Sequence, residues 1–235
     1  MKGTLYLIPS AIGDESSSAS FPEINLKVIE NLHHFVVEDV RTARRFLRKI
    51  LPGLVIDSLS FQILNEHTPP AEVSALLAPV MEGADLGILS EAGLPCVADP
   101  GALLVSHAHE KGIKIVPLTG PSSVFLALMA SGFNGQNFAF SGYLPIDKKE
   151  KAAKIRELEV LAYQKDQTQI FIETPYRNQQ MMEALVETCR LQTRICIAVN
   201  LTMPDEMIFT RTTEQWKRLK WPEIQKKPAV FLLYR

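Results

Sequence analysis

Along most of the chain, short apolar runs bounded by turn residues alternate with longer stretches whose apolar positions recur at helical spacing. Such runs mark buried strands, and strands that alternate with helices build a largely parallel sheet. The pattern predicts strands at Thr4–Ile8, Phe35–Glu38, Leu59–Leu64, Asp85–Leu89 and Lys114–Val116. Between them it predicts helices over Pro22–Leu32, Arg41–Leu51, Pro70–Met81 and Asp99–Lys111. Pro22 and Pro70 suit a first helical turn, where the missing N–H costs little.

The second half continues with helix Pro121–Ser131, strand Phe138–Ser141, a charged helix around Lys148–Tyr163, strand Thr168–Ile172, helix Pro175–Arg190 and strand Arg194–Val199. Met207–Thr210, a short helix near Thr213–Leu219 and the run Ala229–Tyr234 then follow at closer spacing, which suits antiparallel or mixed pairing. Pro117, Gly120 and Pro121 punctuate the middle. The expected architecture is therefore α/β in two domains, 1–117 and 118–235, with a mostly parallel N-terminal sheet and a mixed C-terminal sheet. No internal repeat is visible.

Composition narrows the class. With 46% apolar and 22% charged residues the chain is ordinary for a globular protein, and a formal charge of −1 supplies no global field toward nucleic acid or membrane. Cys96, Cys189 and Cys196 are too scattered for a disulfide framework and contain no C-x-x-C pair, so reduced thiols in a cytoplasmic protein are expected. The run Leu5–Ile8 stops at Pro9, short of a signal-peptide core, and no stretch approaches the ~20 apolar residues of a membrane span.

In open α/β sheets ligands bind beyond the carboxyl ends of strands. Three loops there stand out: Pro9–Asp14, Ser90–Pro95 running on to Asp99-Pro100-Gly101, and Pro117–Ser123. Gly93 allows a backbone geometry or a close approach that a β-carbon would block. Ser122 and Ser123 open an apolar helix whose free N–H groups suit an anion or a simple cap. Taken alone, each loop is equally an ordinary βα turn, with Asp99 capping the next helix. Neither G-x-G-x-x-G nor a P-loop motif occurs, and no serine sits in a G-x-S-x-G elbow. His107 and His109 lie two apart on a helix and point apart, so no metal site is expected. After Glu38-Asp39, the spacing of Arg41, Arg44, Arg45, Arg48 and Lys49 makes one basic stripe, either a solvated face or a phosphate-contacting ridge.

In order, LYLIPSAIGD (5–14), VEDVRTARRFL (37–47), NEHT (65–68), SEAGLPCVADPG (90–101), VPLTGPSSVFLALMASGF (116–133), FAFSGYLP (138–145) and FIETPYR (171–177) resemble the tetrapyrrole methylase superfamily. They are most similar to its bacterial branch of small-subunit ribosomal-RNA cytidine 2′-O-methyltransferases. AVNLTMPDE (198–206) and KPAVFLL (227–233) match more loosely. The resemblance implies two α/β domains with an S-adenosylmethionine cleft between them, usually in a homodimer. It implies that Pro9, Ser90, Glu91, Gly93, Leu94, Pro95 and Val97 line the cofactor, that Ser122 and Ser123 contact it, and that Thr174, Leu201, Pro228 and Ala229 pack its adenine. The partner implied is ribosomal RNA of the small subunit.

The chain departs from the family pattern at Glu91, Ser10-Ala11, Asp14 and Val40, and the small C-terminal segment of RNA-modifying members is expected to be missing. Glu38, Asp39, Glu66 and His67 are candidates for base or orienting roles, and Arg41 for phosphate or a developing oxyanion. Three readings stay open: an RNA ribose methyltransferase, a methylase of a tetrapyrrole or other small molecule, and a cofactor-binding homologue without catalysis.

Overall fold

A computed structural model describes residues 1–13 and 21–235, so Asp14 of the first loop lies outside the described residues. The chain divides into two compact units, Met1–Ser122 and Ser123–Arg235.

The first unit runs β1 (Thr4–Ile8), α1 (Glu23–Glu30), β2 (His34–Val37), α2 (Val40–Ile50), β3 (Ser60–Ile63), α3 (Pro70–Val73), α4 (Ala78–Met81), β4 (Leu86–Leu89), α5 (Gly101–Glu110) and β5 (Lys114–Pro117). Its five strands are all parallel in the order β3-β2-β4-β1-β5. The two-residue strand period sorts the core: Leu5, Val36, Leu86 and Ile88 face the side covered by Leu77 and Leu104, while Ile8, Phe35, Val37 and Leu89 face Ile29 and Leu47. All four residues of β4 are buried, as expected of a parallel strand covered on both faces.

The expected helix over 70–81 is broken into α3, a 3₁₀ turn at Ser74–Leu77 and α4. Pro79 is the physical reason: it has no N–H to give the carbonyl of residue 75, and its ring crowds that carbonyl, which instead accepts from Ala78 in a tighter turn. Asp39 starts α2 as an N-cap, its side chain accepting from the Thr42 amide at 2.8 Å.

The second unit runs α6 (Ser123–Ser131), β6 (Phe138–Tyr143), α7 (Lys148–Lys165), β7 (Thr168–Ile172), α8 (Asn178–Thr188), β8 (Arg194–Val199), β9 (Met207–Thr212), α9 (Thr213–Arg218) and β10 (Ala229–Tyr234). The sheet order is β6-β7-β10-β8-β9, with β6 and β7 parallel and every other pair antiparallel. The last strand thus inserts at the centre, and all six of its residues are buried. Val124, Ala127 and Leu128 of α6 cover one face, against Ile170, Ala198 and Leu232. The other face packs Phe171, Ile197 and Phe231 against Ile155, Leu185 and Trp216. The helix expected from Pro175 opens as a 3₁₀ turn, Pro175–Arg177, and turns α-helical only at the buried Asn178.

Candidate functional site

Because every strand of the first sheet runs the same way, the segments after β1, β2, β3, β4 and β5 all emerge at one edge. Pro9, Glu38, Asp39, Glu66, His67, Ser90–Pro95, Val97 and Ser122 therefore share that edge despite wide separation in sequence. The neighbours β1 and β4 send their connections in opposite directions, toward β2 and toward β5, and a crevice at such a switch point is where α/β sheets bind ligands.

The loop after β4 is held from both adjacent strands. On one side the Ser10 amide donates to the Gly93 carbonyl at 2.8 Å. On the other, the Glu91 amide donates to Glu38 Oε1 at 3.1 Å. Gly93 is buried with φ +75°, a left-handed conformation that a β-carbon disfavours. The turn continues through Cys96 (φ 67°) and Ala98 (φ 63°). These unusual residues are stapled by Asp99, whose carboxylate accepts from the Cys96 amide at 2.8 and 2.9 Å and from the Gly101 amide at 2.8 Å. Pro95 is buried, Ser90 and Leu94 half-buried, and Glu91 and Val97 exposed.

The loop after β5 lies directly on the loop after β1. A β-carbon on Gly120 would stand 2.2 Å from Pro9 Cβ, so only glycine fits there. Asn25 of α1 adds a hydrogen bond from its Nδ2 to the Thr119 carbonyl at 2.7 Å. Ser10, 3% exposed, keeps its hydroxyl without a hydrogen-bond partner among the described residues. Native proteins rarely leave a buried hydroxyl so, which makes Ser10 Oγ a polar atom suited to a bound group.

Burial pushes the Glu38 carboxyl above its ordinary range; the Glu91 amide opposes this, and the charges of Asp99 and Glu91 add to it. Burial likewise raises Asp99 against its two amide bonds. Burial and the charge of Asp39 raise Glu91, while Thr42 and Arg45 of α2 draw it back down. A cavity of about 10 Å³ lies among Glu38, Asp99 and the ends of β2 and β4. Burial also pushes the Cys96 thiol up to about 12, which leaves it a poor nucleophile.

Of the basic stripe on α2, Arg44 is committed to an ion pair with Asp57. Arg41, Arg45, Arg48 and Lys49 remain exposed. Asp39, bonded through its carboxylate to Thr42, is held below the usual carboxylate range. Glu66 and His67 sit on an exposed turn after the outermost strand β3, shaped by the His67 amide donating to Asn65 Oδ1 at 2.9 Å. Among the described residues, no group of three or more histidine, cysteine or acidic side chains is arranged to hold a metal.

Within the second unit, Thr174, Leu201, Pro228 and Ala229 come together at one sheet edge. Val230 pairs with Ile172 and Ala229 with Val199, so β10 begins where β7 and β8 end. The Asn200 amide donates to the Pro228 carbonyl at 3.0 Å. Asn200 Nδ2 and Lys227 Nζ both reach Asp205, each at 2.8 Å. Immediately before Thr174, the fully buried Glu173 carboxylate meets Arg177 at 2.7 Å and Lys151 at 3.5 Å. Asp99, read from sequence only as a helix cap, and Glu173, Asn200 and Asp205 escaped the sequence reading. The D-P-G string is the local signal for the first, and the other three lie inside the family-like strings FIETPYR (171–177) and AVNLTMPDE (198–206).

The chain is similar to known proteins over nearly its whole length. The family model of tetrapyrrole (corrin/porphyrin) methylases matches residues 25–216. A relative from Vibrio cholerae named ribosomal RNA small subunit methyltransferase I is 31% identical over 204 residues, which is 87% of this chain and 67% of that protein. Among solved structures, the methyltransferase CobJ superposes with a TM-score of 0.66 at 18% identity, covering 99% of this chain and 94% of that one. Uroporphyrin-III C-methyltransferase from Thermus thermophilus gives 0.57 at 19% identity, covering 100% and 93%. These likenesses concern the fold of two sheets, one parallel and one mixed.

Proposed function

This chain is a methyltransferase of the tetrapyrrole (corrin/porphyrin) methylase family, and from that premise we propose that it transfers a methyl group from S-adenosylmethionine to a ribose 2′-hydroxyl of small-subunit ribosomal RNA. The observation that carries the cofactor assignment is the doubly tethered Ser90–Pro95 loop beside a Ser10 hydroxyl that has no partner among the described residues. The residues fit the group. Gly93 presents bare backbone, Ser10 offers an unused buried hydroxyl, and Pro9, Glu91, Leu94, Pro95, Val97, Ser122 and Ser123 supply the remaining contacts. In the second unit the resemblance assigns the adenine to Thr174, Leu201, Pro228 and Ala229, which gather at one sheet edge of that unit. The RNA reading draws on the names of relatives and on the exposed cations of α2.

When bound, the cofactor supplies a sulfonium methyl with its own leaving group, so the protein mainly orients the hydroxyl in line and excludes water. Arg41, Arg45, Arg48 and Lys49 hold phosphates of the RNA. Asp39 fixes the start of their helix. Glu66 and His67, exposed on the turn after β3, are the groups suited to accept the hydroxyl proton. A substrate of ribosomal RNA, as the names of relatives suggest, places the proposed reaction in the cytoplasm, and the homodimer is what the family resemblance implies. Among the described residues no helix is long and apolar enough to cross a membrane.

Calorimetry with S-adenosylmethionine, followed by incubation of labelled cofactor with small ribosomal subunits lacking the modification, tests both halves. Binding and ribose label are expected. No binding at millimolar cofactor overturns the whole assignment, whereas binding with no label in RNA overturns the substrate alone.

A further inference from the structure

Glu38 and Ser90 are the first residues beyond the ladder between β2 and β4, whose last paired rung is Val37 with Leu89. Past that rung the backbone pairing stops, leaving the Glu91 amide outside the ladder. Glu38 Oε1 accepts from it at 3.1 Å, so a side chain continues the ladder across the gap. From the same segment Thr42 and Arg45, on the helix that Asp39 caps, favour the charged form of the Glu91 carboxylate. With Ser10 bonded to Gly93 from the opposite strand, the loop is fixed at its second and fourth residues.

We infer that Glu38 is a positioning residue, which sets the cofactor loop by accepting the Glu91 amide and thereby ties the start of α2 to that loop. It works as a hydrogen-bond acceptor of a particular length. Its negative charge is not required, and it takes no proton from substrate. The inference rests on the cofactor reading of the Ser90–Pro95 loop and goes beyond it by assigning an acid at the reaction edge to geometry instead of proton transfer.

Three substitutions separate these roles in the full chain. Glu38→Gln keeps the carbonyl acceptor at the same reach and removes the charge. Glu38→Asp keeps the charge and withdraws the acceptor by one methylene, and Glu38→Ala removes both. S-adenosylmethionine affinity is read by calorimetry, transfer at saturating cofactor by label incorporation, and folding by the thermal midpoint. The expected result is that Ala and Asp each weaken cofactor affinity about tenfold, the scale of one lost hydrogen bond, while Gln weakens it less than about threefold. Turnover at saturating cofactor then changes less than affinity in Gln. If Asp behaves like the wild type and Gln loses turnover about a hundredfold with unchanged affinity, Glu38 is a base and the inference is overturned. Equal affinity in all four folded proteins overturns it as well. Failure of the wild type to bind cofactor would instead count against the cofactor reading itself. Should the Ala form not fold, the Gln and Asp pair decides alone.

Discussion

Glu38 and Glu173 are the same residue type in matching places, each just past the carboxyl end of a strand, and their environments drive them opposite ways. Glu38 has an amide for company and two other carboxyls nearby, so burial wins and its proton is held tightly. Glu173 is more deeply buried, and burial alone would raise it too. The Arg177 hydrogen bond, the Thr174 amide and the charges of Arg177 and Lys151 together outweigh that and hold it below its ordinary range. A buried charge with its cations in place is a structural tie, whereas acids gathered without a compensating cation mark an edge where stability yields to function.

The largest expected effect breaks the tie in the second unit. Glu173→Ala strands the Lys151 ammonium, whose side chain is 6% exposed, beside a half-buried Arg177. Removing one partner of a buried pair costs about 3–5 kcal/mol. Urea unfolding should register that as a lower midpoint, and an unchanged midpoint would mean the two cations find water.

A smaller effect, on binding instead of folding, is expected in the first unit. Gly120→Ala forces the β5 loop off Pro9, since 2.2 Å is far inside any carbon–carbon contact. Displacement of a positioning loop by about 1 Å can cost on the order of a hundredfold in transfer. Cofactor affinity and transfer should both fall while the Glu173 network stays intact. Wild-type kinetics in this variant would show that the two loops need not touch.

The smallest effect is the pH dependence of stability, and it sharpens the contrast in sign. Glu38 binds its proton more tightly folded than unfolded, so its contribution is complete below the ordinary value of 4.5 and is lost as pH rises through its raised value. Glu173 contributes fully above 4.5, and that contribution is lost as pH falls through its lowered value. Urea midpoints across pH should therefore respond oppositely to the two glutamines: Glu173→Gln flattens the acid limb, and Glu38→Gln flattens the decline above 4.5. Parallel curves for the two variants would refute the contrast.

Much of this was legible without coordinates. The strands Thr4–Ile8, Thr168–Ile172, Arg194–Val199 and Ala229–Tyr234 match their predicted bounds because each is a short, largely apolar run set off by turn residues. The string Ser90–Pro95 points at a loop, and its proposed reading as a cofactor loop comes from the resemblance and not from the spacing. The pattern over 70–81 predicts one helix because its apolar period continues through Pro79, and periodicity does not register a missing amide. The stripe on α2 was counted as five cations when Asp57, thirteen residues after Arg44, removes one.

What the sequence determined by itself is whatever closes within a few residues. That covers the strands, most of the helices, the Asp39 cap to Thr42 and the punctuation at Pro9, Gly93 and Gly120. Such hydrogen bonds and dihedral preferences depend on neighbours the chain already holds in place. Tertiary structure alone decided that β4 lies between β2 and β1 and that the last strand enters the middle of its sheet. It also brought Glu38 to an amide 53 residues away. Each glutamate has an arginine within four residues, Arg41 after Glu38 and Arg177 after Glu173. Folding pairs Arg177 with Glu173, while Glu38 takes the Glu91 amide. An ionisation is set by the charges and water within a few ångströms, and the local sequence does not say which neighbours come that close.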